Sequence, residues 1–216
     1  MESILTTPSH TVVQPCAPAR IVVLASGTGS LLEALLAAAS APDYPGSVVG
    51  VVTDRSCRAV EVAAGAGVPS AEVPVQAYAD RAAWDAGLTA AVAELNPDLV
   101  VAAGFMKILG TEFLGAFGGR VINAHPALLP AFPGAHAVPA ALEHGVKLTG
   151  STVHLVDAGL DTGPILAQEA VAVEPGDTEE TLHERIKVVE RRLLTEVVAA
   201  VALGGYRTDG RKATIS

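Results

Sequence analysis

The chain opens with short, unbroken apolar runs separated by longer stretches in which apolar residues recur every three or four positions. The run at 20–26 (RIVVLAS) suits a strand buried on both faces, and 47–54 (SVVGVVTD), 70–75 (SAEVPV), 98–104 (DLVVAAG) and 119–124 (GRVINA) read as further strands. Between them, 31–40 (LLEALLAAAS), 58–67 (RAVEVAAGAG) and 80–96 (DRAAWDAGLTAAVAELN) read as helices, the last stopped at Asn96-Pro97. This alternation predicts an α/β fold with a Rossmann-like, doubly wound, mostly parallel sheet. Such sheets take ligands at the carboxyl ends of their strands, where the crossovers diverge. The second half changes style. Residues 149–157 (TGSTVHLVD) and 164–175 (PILAQEAVAVEP) read as strands joined by a DAGLDTG loop, an antiparallel C-terminal extension. Residues 178–202 then form a long amphipathic helix with Leu182, Ile186, Val189 and Leu193 on its apolar face and Asp177 or Thr178 as its cap.

A length of 216 residues suits one domain, expected at 20–204, with a weakly ordered leader at 1–19 and a C-terminal tail at 205–216 that reads as a short strand or arm. The net charge of −9 argues against nucleic acid as a partner, since phosphate binding needs a basic footprint. The longest uncharged stretch, 121–142, carries four prolines and cannot be a membrane helix. The first residues lack the basic start and apolar core of a secretory signal, so a cytoplasmic protein is expected. Cys16 and Cys57 belong to no CxxC pair and read as free thiols of a reducing compartment. No His, Cys or carboxylate spacing calls for a metal.

Three stretches carry candidate chemistry. In ASGTGSLLEAL, a strand runs through Gly27-x-Gly29-Ser30 into a helix, which can cradle an anion on backbone N–H groups or simply turn the chain. It lacks the third glycine of a dinucleotide fingerprint (position 32 is Leu) and the lysine of a P-loop; Asp54 is a loose candidate for a ribose-reading acid. In VINAHPALLP, Asn123 and His125 lie on one side of an extended chain, and Pro126 holds His125 extended. An amide donor beside an imidazole can meet a developing oxyanion, or both can satisfy loop carbonyls. In VHLVDAGLDTGPI, Asp157 and Asp161 serve the turns, or bring a carboxylate beside the imidazole to orient it and raise its pKa. On the last helix Lys187 and Glu190 share a face, as a solvated ion pair or as ligand groups. His136, His144 and His183 read as surface or loop residues.

The segments GTGSLLEAL, LVVAAGFMKIL, VINAHPALLPAFPGAHA and GSTVHLVDAGLDTGPIL, in that order, resemble the folate-dependent formyltransferases over roughly residues 20 to 204. The resemblance implies transfer of a formyl group from 10-formyltetrahydrofolate, a co-substrate, to the amine of glycinamide ribonucleotide in de novo purine biosynthesis. It implies a catalytic trio of Asn123, His125 and Asp161. Acceptor contacts would come from Gly29, Ser30 and Leu31, mainly by backbone N–H groups to phosphate, and from Lys187 and Glu190, the latter toward the ribose hydroxyls. Arg81, Met106, Lys107, Ile108, Leu109, Asn123 and Asp157 would line the folate site, the 157–161 loop closing over the pterin. Neither metal, nucleic acid nor membrane is implied as a partner, and a homodimer is allowed for.

The sequence departs from the family pattern at Leu31 (commonly Asn), Lys107 (frequently Arg), Ala127 (commonly Ser), Val138-Pro139 (frequently His-Arg) and Lys187 (often an uncharged amide). These affect affinity rather than chemistry. Within the superfamily, a methionyl-tRNA formyltransferase would need a further nucleic-acid-binding domain and a basic face. A formyltetrahydrofolate hydrolase would carry an extra N-terminal regulatory domain, where here about 19 residues precede the first strand. A non-enzymatic nucleotide-binding module would explain Gly27 to Ser30 but leave Asn123, His125 and Asp161 without purpose.

Overall fold

The computed structural model describes residues 10–216. Its axis is strand β2 (Ala19–Ala25), whose alternate residues go to opposite faces of the sheet. Ala19, Ile21, Val23 and Ala25 join one core with helices α1 (Ser30–Ala39), α2 (Arg58–Gly65) and α6 (Glu179–Gly204). Val22 and Leu24 join the other with α3 (Arg81–Ala93) and α4 (Thr111–Phe117). From Ile21 to Ala25 every residue of β2 meets one core or the other, so this stretch reads as an unbroken apolar run.

The remaining strands are β1 (His10–Val13), β3 (Gly46–Thr53), β4 (Ser70–Glu72), β5 (Leu99–Ala102), β6 (Val121–His125), β7 (Leu148–Leu155), β8 (Ile165–Ala172), β9 (Tyr206–Asp209) and β10 (Lys212–Ile215). They form one ten-stranded sheet in the order β1-β9-β10-β8-β7-β6-β5-β2-β3-β4. The β6-β5-β2-β3-β4 half is parallel throughout. From β6 outward, β7 and β8 run antiparallel in succession, as the alternation of 149–175 predicts. The chain leaves β2 toward β3 on one side and returns as β5 on the other. Crossovers therefore diverge between the carboxyl ends of β2 and β5, which is where a ligand cleft belongs.

The ends of the chain differ from expectation. Residues 1–9 of the expected leader lie outside the described residues. Residues 10–13, expected in the same weakly ordered leader, form β1 and pair antiparallel with β9. The tail at 205–216 is not an appendage either: its two strands form a hairpin inside the sheet, and Tyr206 is fully buried. Two helices escaped the sequence reading. Helix α4 is seven residues long with a glycine in it. Helix α5 (Ala137–His144) contains Pro139, which sits in the first turn, where a missing N–H breaks no bond.

Two local devices position the site. The Thr178 hydroxyl accepts the Thr181 N–H at 3.2 Å and caps α6. On α3, the buried Asp85 carboxylate accepts the N–H groups of Gly110, Glu112 and Phe113 at 2.8, 2.9 and 3.2 Å, so one helix supplies the N-terminal cap of another. One turn earlier, Arg81 donates to the Ile108 carbonyl and lies over the Trp84 ring at 4.2 Å. Asp85 and Arg81 together fix the chain that follows β5.

Candidate active site

A cleft of about 690 Å³ opens at the switch between β2 and β5. Its floor is the end of β6. One wall is the glycine loop leading into α1, and another is the 104–109 segment. The far side combines the 156–161 loop with one face of α6. Its volume lies within the range of small-molecule sites.

Asn123 and His125 both reach this cleft from the last residues of β6, as their spacing predicts. Register supplies what spacing does not. In the antiparallel β6–β7 pair, Asn123 lies directly opposite His154, and His125 opposite Thr152. His154 is buried, with Nδ1 2.9 Å from the Leu155 carbonyl and Nε2 3.1 Å from the Asn123 amide nitrogen. A ring nitrogen that faces a carbonyl carries the proton, so Nδ1–H donates and Nε2 accepts the Asn123 N–H. The tautomer of His154 thus fixes which way the Asn123 amide points. Sequence reading missed this residue. Its only signal is parity: His154 shares a face with Thr152 on a strand whose partner carries Asn123.

Asp161 comes from the loop after β7. Its Oδ2 accepts the Gly134 N–H at 2.7 Å and stands 3.4 Å from His125 Nδ1, while Oδ1 is 3.6 Å from His154 Nε2. The His154 ring, then the Gly134 N–H and His125, hold the carboxyl below its usual range against the effect of burial. His125 corrects an expectation. The carboxylate does favour the imidazolium, but burial acts more strongly, and the ring's pKa lies below its ordinary value. His125 Nε2–H donates to the Phe132 carbonyl at 2.8 Å, so a neutral ring keeps a donor in place.

At the other end, α1 starts at Ser30 behind Gly29, whose φ of 76° is left-handed. Gly29 fits because a Cβ there would lie 3.1 Å from the Ala59 backbone. Gly29, Ser30 and Leu31 line the cleft. The Leu31 side chain is buried in the core with Leu32 and Leu35, so position 31 can offer only backbone polar groups. Lys187 lines the cleft and pairs with Glu184 at 2.7 Å, not with Glu190 as the shared helix face allows. His183, expected at the surface, lines the cleft one turn earlier. Glu190 is 6% exposed, and burial raises its carboxyl to about 7.

The Glu190 shift has a sign that can be measured. An acid whose folded pKa exceeds its unfolded value opposes folding increasingly from the unfolded value upward, here from about 4.5 to about 7, and by a constant amount above that. Glu190→Gln is therefore expected to stabilise the protein by roughly 2 to 3 kcal/mol at pH 8 and by little at pH 4. Urea melts at the two pH values check this; equal midpoints for both proteins at pH 8 would contradict it.

Several expected folate contacts are placed differently. Met106, Ile108 and Leu109 line the cleft, Met106 and Ile108 as exposed apolar side chains. Asp157 also lines it, and its carboxylate accepts the Gly159 N–H and the Thr162 hydroxyl, shaping the loop. Arg81 does not line the cleft; it is turned back onto Ile108 and Trp84, so it acts on the 106–109 segment from behind. Lys107 lies 3.4 Å from the buried Asp54 carboxylate, which Arg55 also holds at 2.9 Å. Asp54 is thereby occupied and unsuited to read a ribose, which removes the dinucleotide reading.

A glycine loop at the start of α1 and the amide, imidazole and carboxylate of Asn123, His125 and Asp161 thus converge on one cleft. The chain belongs to the formyl transferase family, whose sequence model matches residues 19–198. It is 63% identical over 203 residues to phosphoribosylglycinamide formyltransferase of Mycobacterium tuberculosis, covering 94% of each chain. Glycinamide ribonucleotide transformylase 1 of Symbiobacterium toebii superposes with a TM-score of 0.89 at 43% identity, covering 91% of this chain and 93% of that one. A formyltetrahydrofolate deformylase of Pseudomonas syringae superposes with a TM-score of 0.84 at 28% identity, covering 91% of this chain and 65% of that one.

Proposed function

We propose that the chain is an enzyme that transfers the formyl group of 10-formyltetrahydrofolate to the amine of glycinamide ribonucleotide, giving formylglycinamide ribonucleotide and tetrahydrofolate in de novo purine biosynthesis. The observation that carries this reading is the 63% identity to phosphoribosylglycinamide formyltransferase along 94% of both chains. The site geometry supports it.

The acceptor lies between α1 and α6. Its phosphate takes the N–H groups of Gly29, Ser30 and Leu31, helped by the helix dipole. Lys187 adds a charge that offsets the missing side-chain donor at Leu31. Glu190 binds the ribose hydroxyls. The folate lies along Met106, Lys107, Ile108 and Leu109, with Asp157 and Asn123 at its inner end and Arg81 as a support for the segment rather than a contact.

The acceptor nitrogen attacks the formyl carbon, and the carbonyl pair moves onto oxygen. Asn123 donates one amide N–H to that oxyanion while His154 holds the other. His125 donates Nε2–H to the same oxygen in place of the Phe132 carbonyl. The Asn123 donor is held in place before charge develops, while His125 exchanges one acceptor for another. Asp161 orients the imidazole and favours its charged form as the oxyanion appears. The attacking nitrogen then loses a proton and the folate nitrogen gains one as the C–N bond breaks, through His125 or an ordered water.

The two free cysteines, Cys16 and Cys57, fit a reducing compartment, and no helix among the described residues is long and apolar enough to cross a membrane. We place the protein in the cytoplasm. The deformylase likeness gives the alternative, with water as acceptor. Absorbance-monitored turnover of 10-formyltetrahydrofolate separates the two. Turnover that requires glycinamide ribonucleotide supports the transferase; equal turnover without it would overturn that reading in favour of hydrolysis.

A further inference from the structure

Asp161 lies at a sharp bend of its loop. Its φ is 52°, in the left-handed region that a residue with a Cβ seldom adopts. Within the loop, Asp157 Oδ1 accepts the Gly159 N–H at 3.0 Å and the Thr162 hydroxyl at 2.7 Å. Those bonds curl the chain on either side of Asp161 but tie it to nothing beyond the loop. Gly134 N–H reaches the carboxylate from the cleft side. On the other side is a second cavity of about 370 Å³, lined by Leu129, Pro130, Asp161, Gly163, Ile165 and Arg211. That side of the loop faces a half-open depression rather than a helix or a strand.

One side chain crosses that gap. Arg211 Nη2–H donates to the Thr162 carbonyl at 2.9 Å, across 49 positions of sequence. Its own place is set by the sheet. It is the second residue of the turn between β9 and β10, and Lys212, the next residue, pairs in parallel with Ile165 at the start of β8. Ile165 is where the Asp161 loop ends and β8 begins. The hairpin is therefore anchored to one end of the loop while Arg211 holds its crown.

We propose that Arg211 is a positioning residue for formyl transfer: from the C-terminal hairpin it braces the 157–163 loop and keeps the Asp161 carboxylate beside His125 and His154. The proposal rests on the assignment of Asp161 to catalysis given above. Arg211 itself touches no reacting atom. Its effect is on how often the carboxylate is in place, so it belongs in kcat rather than in acceptor binding.

The test uses the full chain with Arg211→Ala, Arg211→Lys, Lys212→Ala and Asp161→Asn, measuring kcat, KM for both substrates and thermal melting. Arg211→Ala is expected to lower kcat about tenfold, the rate equivalent of one hydrogen bond lost, with acceptor KM and melting unchanged. Arg211→Lys, which can still donate once to Thr162, is expected to recover most of the rate. Lys212→Ala, which keeps the backbone pairing, is expected to match wild type. Wild-type kcat in Arg211→Ala alongside an inactive Asp161→Asn would overturn the brace and leave the Asp161 assignment standing. So would a loss that Arg211→Lys does not recover, or one that tracks a lowered melting temperature. Wild-type turnover in Asp161→Asn would instead sink the underlying assignment, and the brace with it.

Discussion

Asn123→Ala should keep its fold and lose about 100- to 1,000-fold in kcat, the usual effect of removing one oxyanion donor. The residue lies at the end of β6, lines the cleft and is only partly buried, so truncation opens the site rather than the core. KM for glycinamide ribonucleotide should barely move, because the amide acts on charge that exists only in the transition state. Steady-state turnover across acceptor concentrations measures both quantities. A kcat near wild type, or a loss confined to KM, would remove Asn123 from the chemistry. Asn123→Asp is a sharper form of the same test. It keeps the shape, removes the N–H and places a second carboxylate near Asp161, so it should be at least as inactive.

The largest stability effect is expected at Asp85. Its carboxylate satisfies three backbone N–H groups at the start of α4. Asp85→Ala leaves all three without their partner, the Phe113 N–H in a buried position, for an expected loss of about 3 kcal/mol. The damage should reach function through the 104–109 wall, raising KM for 10-formyltetrahydrofolate while leaving the acceptor's KM alone. Gly110→Ala should reproduce it in part, since a Cβ there would lie 2.4 Å from the same carboxylate. Urea titration gives the stability, and an unchanged midpoint in Asp85→Ala would show that water or other groups replace the cap.

Sequence made legible whatever one segment determines by itself. Strand β2 appears as an apolar run because both of its faces are covered, and Asn123 and His125 share a side because a strand repeats every two residues. What stayed hidden depends on pairing between distant segments. His154 matters because register sets it against Asn123, and nothing within VHLVD states that register. Asp85 looks like any helix aspartate until α4 packs against it. Arg81 carries a folate-facing charge by resemblance, yet the structure turns it toward Ile108. The rise in His125 pKa expected from a neighbouring carboxylate failed for a related reason: desolvation is set by everything packed around the ring, and it outweighed the one partner that could be named.

The order of strands also bears on how the protein is made. β10 is the last described strand in chain order, yet it lies inside the sheet between β8 and β9. While synthesis proceeds, β9 presents an open edge of unpaired backbone groups until residues 212–215 emerge. Such an edge readily recruits strands from other chains. Translation arrested before that point would release a product with a nearly complete core, an exposed edge and no brace behind its catalytic loop. Slow translation late in the message should therefore raise aggregation rather than yield a weakly active enzyme.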